Sequence, residues 1–207
     1  MSLSDKYADI KKTVKKELSK ERYQHTLGVA YTASCLAMRY GEDMERAYLA
    51  GLLHDNAKQI PDDEKTKLAE KLGIPISDAE RENPSLLHAK LGAYYAESRF
   101  DITDPGILSA ILYHTTGQPD MNLLEKIIFV ADYIEPNRDR AKNLSELRAL
   151  AFQDLDRAVL RIAQDTMTFV SLKDGVSMDP KTGEVIEYYQ ELLEKKDRQE
   201  KKEKKKA

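Results

Sequence analysis

Apolar side chains recur along most of the chain at three- and four-residue steps, the spacing that gives a helix one buried face. In "YADIKKTVKKEL" the stripe is Ile10, Val14 and Leu18, and "TLGVAYTASCLAMRYG" stays apolar until Gly41, a natural C-terminal stop. "MERAYLAGLLHDNAK" predicts a third helix. "PDDEKTKLAEKLGIP" predicts a fourth, with Pro61 at its first position and Gly73 and Pro75 beyond its end. After "ISDAERENPS", which reads as a polar connection, come "LLHAKLGAYYAESRF", "PGILSAILYHTTG" and "NLLEKIIFVADYIEP". The last has Asn122 and Glu125 at capping-box spacing and Pro136 as its terminator. "LSELRALAFQDLDRAVLRIAQDTMTFVSLK" reads as one long or broken helix, and "DGVSMDPKTG" is turn-rich. The pattern contains no internal repeat and predicts no strand. It therefore gives an all-α fold of about eight or nine helices in a single domain over residues 1–194, with 195–207 a charged, disordered tail.

Composition narrows this only slightly. A chain of 207 residues with 41% apolar side chains suits one sizeable domain. The single cysteine, Cys35, excludes a disulfide framework and a thiolate metal cluster, and fits a cytoplasmic protein. "MSLSDKYADIKKTVKK" lacks the apolar run of a signal peptide, and no segment reaches the length of a membrane span. The net charge of −3 conceals an asymmetry: "KKDRQEKKEKKKA" carries eight Lys or Arg against three acids. That tail at +5 leaves −8 for the remainder, which argues against a nucleic-acid surface.

The chemistry lies in the histidines and two aspartates. His54 and Asp55 interrupt the small, apolar run "AGLLHDNAK", and a carboxylate carried into such surroundings needs a cation, a hydrogen-bond network or a metal ion. The chain has four histidines, His25, His54, His88 and His114, each on or beside a different predicted helix. Asp132 breaks the apolar face of "KIIFVADYI", with no Lys or Arg three or four residues away and with Glu135 adding a like charge at i+3. Its partner must come from elsewhere in the fold. Imidazoles and carboxylates without thiolates suit Fe, Mn or Zn, and one inward residue per helix suits a site inside a bundle.

The order H, HD, H, H, D resembles the HD superfamily of metal-dependent phosphohydrolases. More narrowly, "RYQHTLGV", "GLLHDNAK", "NPSLLHAKLGA", "YHTTGQPDMNLLEKIIFVADYIEPNR" and "DTMTFV" resemble the YqeK family, over roughly residues 18–182. The resemblance implies an HD-domain helical bundle that hydrolyses dinucleoside tetraphosphates symmetrically, releasing two nucleoside diphosphates such as ADP or GDP. It implies that His25, His54, Asp55 and Asp132 hold a metal, iron above others, with Asp55, His88, His114 and Asp132 in the catalytic set. It also implies that His88 and His114 either hold phosphate or complete a second metal position with Asp55. Arg22 and Arg138 would aim guanidinium groups at the phosphate chain, and Thr115 would add a hydroxyl. Val176–Thr182 maps on the family's nucleotide loop, and Lys58 is expected as a structural partner of Asp55. The expected partner is a nucleotide, with no nucleic acid and no membrane, and room is left for a homodimer. Two alternatives stay open: an HD nucleotidase or phosphodiesterase acting on a mononucleotide or cyclic nucleotide, and a nucleotide sensor that binds without cleaving.

Overall fold

The computed structural model describes residues 6–139, 143–172 and 179–204. Among them the chain forms eleven α-helices and no strand. They are α1 (Ala8–Glu17), α2 (Lys20–Tyr40), α3 (Met44–Leu53), α4 (Asp62–Lys71), α5 (Asp78–Glu82), α6 (His88–Phe100), α7 (Pro105–Tyr113), α8 (Leu123–Ile134), α9 (Leu144–Ala151), α10 (Leu155–Ser171) and α11 (Pro180–Lys204). None is long and apolar enough to cross a membrane.

The helices start and stop where side chains satisfy their free ends. Ser19 accepts from the Arg22 amide at 3.2 Å, and Asp43 accepts from Glu45 and Arg46 at 2.7 and 3.1 Å. The capping box expected at Asn122 and Glu125 is formed, and α8 ends before Pro136. Gly41 closes α2 with φ at 78°, a left-handed conformation open to glycine at little cost.

Three expectations need correction, and of the two forms allowed for the segment after residue 143 the broken one is found. Pro61 caps α4 from outside, and its first helical residue is Asp62. The polar connection contains α5, five residues with a second capping box at Ser77 and Glu80 but too short to show an apolar period. The long segment after residue 143 is broken between α9 and α10, where Asp154 restarts the helix by accepting from the Arg157 amide. The charged tail is helical through Lys204 and not disordered there. Lys196 and Asp197, both in this tail, pair with Asp156 and Arg157 of α10. These changes raise the count above the eight or nine helices expected.

The centre of the bundle is α8. Helices α2, α3, α7 and α10 pack around it, and α11 packs on α10. Val29, Ala33 and Leu36 of α2, Ala50 and Leu53 of α3, and Ile127, Ile128 and Val130 of α8 are buried in one continuous core with Val159, Ile162 and Tyr189. Each large aliphatic group buried there contributes about 1.5–3 kcal/mol. A smaller cluster, Ala57, Ala69, Leu87 and Leu91, seats α4 and the 3-10 turn Pro84–Leu87 against α6. Gly51 sets a close contact between α2 and α3. A Cβ there would lie 2.8 Å from the Ala30 Cα, so only glycine lets the α2 and α3 backbones approach this nearly.

A candidate metal centre between helix ends

Three histidines lie at helix termini. His54 follows the last residue of α3, His88 opens α6, and His114 follows α7. At the C-terminal ends of α3 and α7 backbone carbonyls are spared from the helix ladder, and the rings of His54 and His114 each use one; His88 follows the 3-10 turn Pro84–Leu87 and shares the Ser85 carbonyl with its own backbone N–H. The Nδ1 atoms of His54, His88 and His114 donate to the carbonyls of Gly51, Ser85 and Ile111, at 2.7, 2.6 and 2.7 Å. His25 lies inside α2, and its Nδ1 instead donates to Glu135 Oε1 at 3.1 Å. A carbonyl or carboxylate only accepts, so each of the four rings carries a proton on Nδ1 and turns its Nε2 into the bundle. This is the arrangement of metal-ligating histidines.

Asp55 stands between the rings. Its Oδ2 lies 3.3 Å from His54 Nε2 and 3.9 Å from His25 Nε2, and its Oδ1 lies 3.3 and 3.7 Å from the Nε2 atoms of His88 and His114. One carboxylate thus offers one oxygen to each of two triads, His25–His54–Asp55 and Asp55–His88–His114, either compact enough to hold an ion. Asp132 joins the first, with Oδ1 3.0 Å from His25 Nε2 and 3.9 Å from His54 Nε2. The Nε2 atoms of His25 and His54 and Oδ1 of Asp55 are buried without a hydrogen-bond partner. Orphaned acceptors in a buried cluster are costly, and a bound cation would satisfy them together. The donor set fits a divalent first-row metal.

The electrostatics agree. Burial alone would raise Asp55 and Asp132, yet His54, His114 and His88 around the first, and His25 and Arg138 around the second, hold both well below the usual carboxylate range. Burial would lower His25, but Asp132 and Glu135 raise it to about 9, so a proton occupies the ring when nothing else supplies positive charge. Burial pushes His88 down to about 4 against the pull of Asp55, with Lys58 adding to the fall. Lys58 is itself lowered by burial. Its Nζ lies 3.2 Å from His88 Nε2, so its nearest partner in the centre is His88.

Every candidate residue converges on this place. Arg22 Nη1 donates to Asp55 Oδ2 at 2.8 Å, and Arg138 Nη2 donates to Asp132 Oδ1 at 3.1 Å. Thr115 Oγ1 lies 3.2 and 3.0 Å from the Nε2 atoms of His88 and His114. Two concavities flank the centre. One, of about 580 Å³, is lined by Arg22, His25, Gln59, Glu135, Asn137 and Arg138. The other, of about 410 Å³, is lined by Lys90, Tyr113, Thr115, Thr116, Pro180 and Lys181. Of the expected nucleotide loop, Val176 to Met178 lie outside the described residues, while Asp179, Pro180 and Lys181 line the second concavity and Thr182 is buried.

Two residues of the site were not expected. Glu135, read as a like charge against Asp132, instead turns to the rear of His25 and accepts from Asn137 N and Nδ2 at 2.8 and 3.0 Å. Arg148 of α9 donates to the carbonyls of Ile134, Glu135 and Arg138 at 2.9, 2.9 and 3.0 Å, clamping the turn that carries both Glu135 and Arg138. Nothing local marks Arg148, since its partners are 10 to 14 residues away. Glu135 left a trace in Gly28, a helix-interior glycine three residues after His25 whose absent Cβ leaves room for the Glu135 carboxylate.

Comparison with known proteins agrees with this geometry. The HD domain family model matches residues 22–137. A symmetrical bis(5'-nucleosyl)-tetraphosphatase of Bacillus subtilis (strain 168) is 43% identical over 78% of this chain and 86% of its own. One from Halalkalibacterium halodurans is 45% identical over 88% of this chain and 95% of its own. A crystal structure from Clostridium acetobutylicum, described as a predicted HD superfamily hydrolase involved in NAD metabolism, superposes with a TM-score of 0.84 at 40% identity, covering 88% of this chain and 96% of that one. With the matched segment enclosing His25, His54, Asp55, His88, His114 and Asp132, the chain belongs to the HD domain family, in the branch of its symmetrical bis(5'-nucleosyl)-tetraphosphatase relatives.

Proposed function

We propose that this protein hydrolyses dinucleoside tetraphosphates at the central anhydride, with water, to give two nucleoside diphosphates. The observation that carries the reading is Asp55, which offers one oxygen to each triad, with one concavity reaching Arg22 and His25 and the other reaching Thr115. A substrate with identical halves and a central scissile bond has the same symmetry of need: a reaction centre with space on both sides.

In this reading His25, His54, Asp55 and Asp132 hold a divalent ion, iron above others, and Asp55, His88 and His114 either hold phosphate or take a second ion. A bound ion supplies Lewis acidity, which polarises a phosphoryl oxygen and makes water a better nucleophile. The remaining work falls to side chains. Arg22 and Arg138 now pair with Asp55 and Asp132, and both are about one-third exposed, so their free donors can reach non-bridging oxygens of the phosphate chain. Thr115 donates from Oγ1. His88, neutral at pH 7, keeps an acceptor lone pair at Nε2 beside Lys58 Nζ. Asp55 and Asp132 stay ionised and can orient the attacking water. An acidic body gives little long-range attraction for a polyanion, so binding depends on this local cluster of cations. Cytoplasmic residence and the absence of a nucleic-acid partner belong to the same reading, supported by the unpaired Cys35 and the acidic body. A homodimer is compatible with it.

The test is to incubate the purified protein with diadenosine tetraphosphate in ¹⁸O-water and separate the products, with elemental analysis of the same preparation. ADP alone, labelled on one of each pair, is the expected result. AMP with ATP, or release of inorganic phosphate, would refute central cleavage, and a preparation active with zinc or manganese but not iron would refute the choice of metal.

A further inference from the structure

Glu135 is 1% exposed beside the centre, yet it faces the back of His25 and neither triad. The need for it follows from where His25 sits. His54 and His114 borrow carbonyls freed at helix ends and His88 shares one from the turn before it, whereas the carbonyls around His25 are committed within the 21-residue α2. An acceptor for its Nδ1 must come from another part of the chain, and it comes from 110 residues away. Two donors from Asn137 fix the other oxygen of the same carboxylate. Gly28, on the face of α2 one turn past His25, leaves the space that the carboxylate enters.

We propose that Glu135 is a positioning residue that sets the tautomer, orientation and basicity of His25 as a metal ligand, with Gly28 as the residue that admits it. Carboxylate partners of ligating histidines commonly change metal affinity 10–100-fold when removed. The proposal rests on His25 being a metal ligand but not on the identity of the substrate.

The experiment titrates cobalt(II) into chelator-stripped wild type, Glu135→Gln and Gly28→Ala, followed by visible absorption and equilibrium dialysis, with no nucleotide present. Both variants should bind the ion at His25–His54–Asp55 about 10–100-fold more weakly. Uptake at Asp55–His88–His114, which Glu135 does not touch, should be unchanged. Alanine is a better helix former than glycine, which offsets part of the cost of displacing the Glu135 carboxylate from its Asn137 partners, so Gly28→Ala should still unfold cooperatively in chelator, and that transition separates displacement of Glu135 from loss of fold. Wild-type cobalt affinity in either variant would overturn the proposal, as would a wild type that takes up no cobalt through His25. A wild type that binds cobalt but leaves diadenosine tetraphosphate intact would count against the proposed function alone.

Discussion

Replacing Gly51 with alanine should damage the reaction more than the fold, because the contact it disturbs sets the distance between two groups of ligands. Helix α2 carries Arg22 and His25, and α3 delivers His54 and Asp55 at its end. An added Cβ would lie 2.8 and 3.0 Å from Ala30 Cα and N and 3.3 Å from the Val29 carbonyl carbon, all backbone atoms that cannot swing aside. Restoring ordinary van der Waals separation requires the helices to part by roughly 0.6–1 Å. Overpacking of this kind costs about 1–3 kcal/mol, against which the better helix propensity of alanine returns about 1 kcal/mol. The net loss of about 0–2 kcal/mol corresponds to a fall in Tm of at most about 8 °C for a chain of this size. The same displacement falls directly on the first triad, where a misplacement of about 1 Å costs on the order of 100-fold in rate. The assay is kcat/KM for diadenosine tetraphosphate at equal metal loading, with Tm on the same samples. A Gly51→Ala protein that melts higher than wild type and stays within threefold in kcat/KM would refute the reasoning.

Other perturbations separate the parts of the site. Asp55→Ala should lose bound metal and turnover together, because both triads share this carboxylate; His88→Ala should keep the ion of the first triad, and elemental analysis of both variants decides whether a second ion is lost. Arg22→Ala and Arg138→Ala should each lower kcat/KM for the tetraphosphate about 30- to 1000-fold, roughly 2–4 kcal/mol, and Lys at either position should recover only part of it for want of the guanidinium fork; a loss under threefold with metal intact removes that arginine from the site. A chain ended at Glu194 should keep its turnover at physiological salt, and a large loss would make the tail part of the machinery. Lys196→Ala tests what the helical tail adds to stability. Burial would raise Asp156, but Lys126 and Lys196 hold it below its ordinary value. Its contribution is therefore complete above about pH 4, the unfolded value, and is lost as pH falls through the lower folded one. Lys196 is about half exposed, so the variant should be less stable by under about 1 kcal/mol at pH 7. That gap should close as the pH falls through the folded value, and one that persisted with Asp156 protonated would deny the ion pair.

What the sequence displays of this protein is what depends on short separations. The stripe through Ile10, Val14 and Leu18, the Asn122–Glu125 box and the stop at Pro136 are all written within one helix, and each is found in the structure. The same holds for the ligand types: a histidine and an aspartate in an otherwise apolar run demand compensation wherever they fold. The sequence does not display which way a side chain turns when its partner is far along the chain. Glu135 sits three residues past Asp132, so local reasoning sets two negative charges on one helix face. In the fold α8 ends at Ile134 and the backbone at Glu135 is already extended, with φ at −52° and ψ at 152°, which directs the carboxylate to His25 on α2. The tail fails the local reading for the same reason. Its run of lysines has no apolar stripe to dock, but Asp156 and Arg157 of α10, some 40 residues back, offer charges that a solvated helix can reach. Apolar periodicity thus locates helices and buried polar residues locate chemistry. A polar partner such as Glu135 becomes legible only when segments distant along the chain meet, and a helix-interior glycine such as Gly28 is a mark that this meeting leaves in the local sequence.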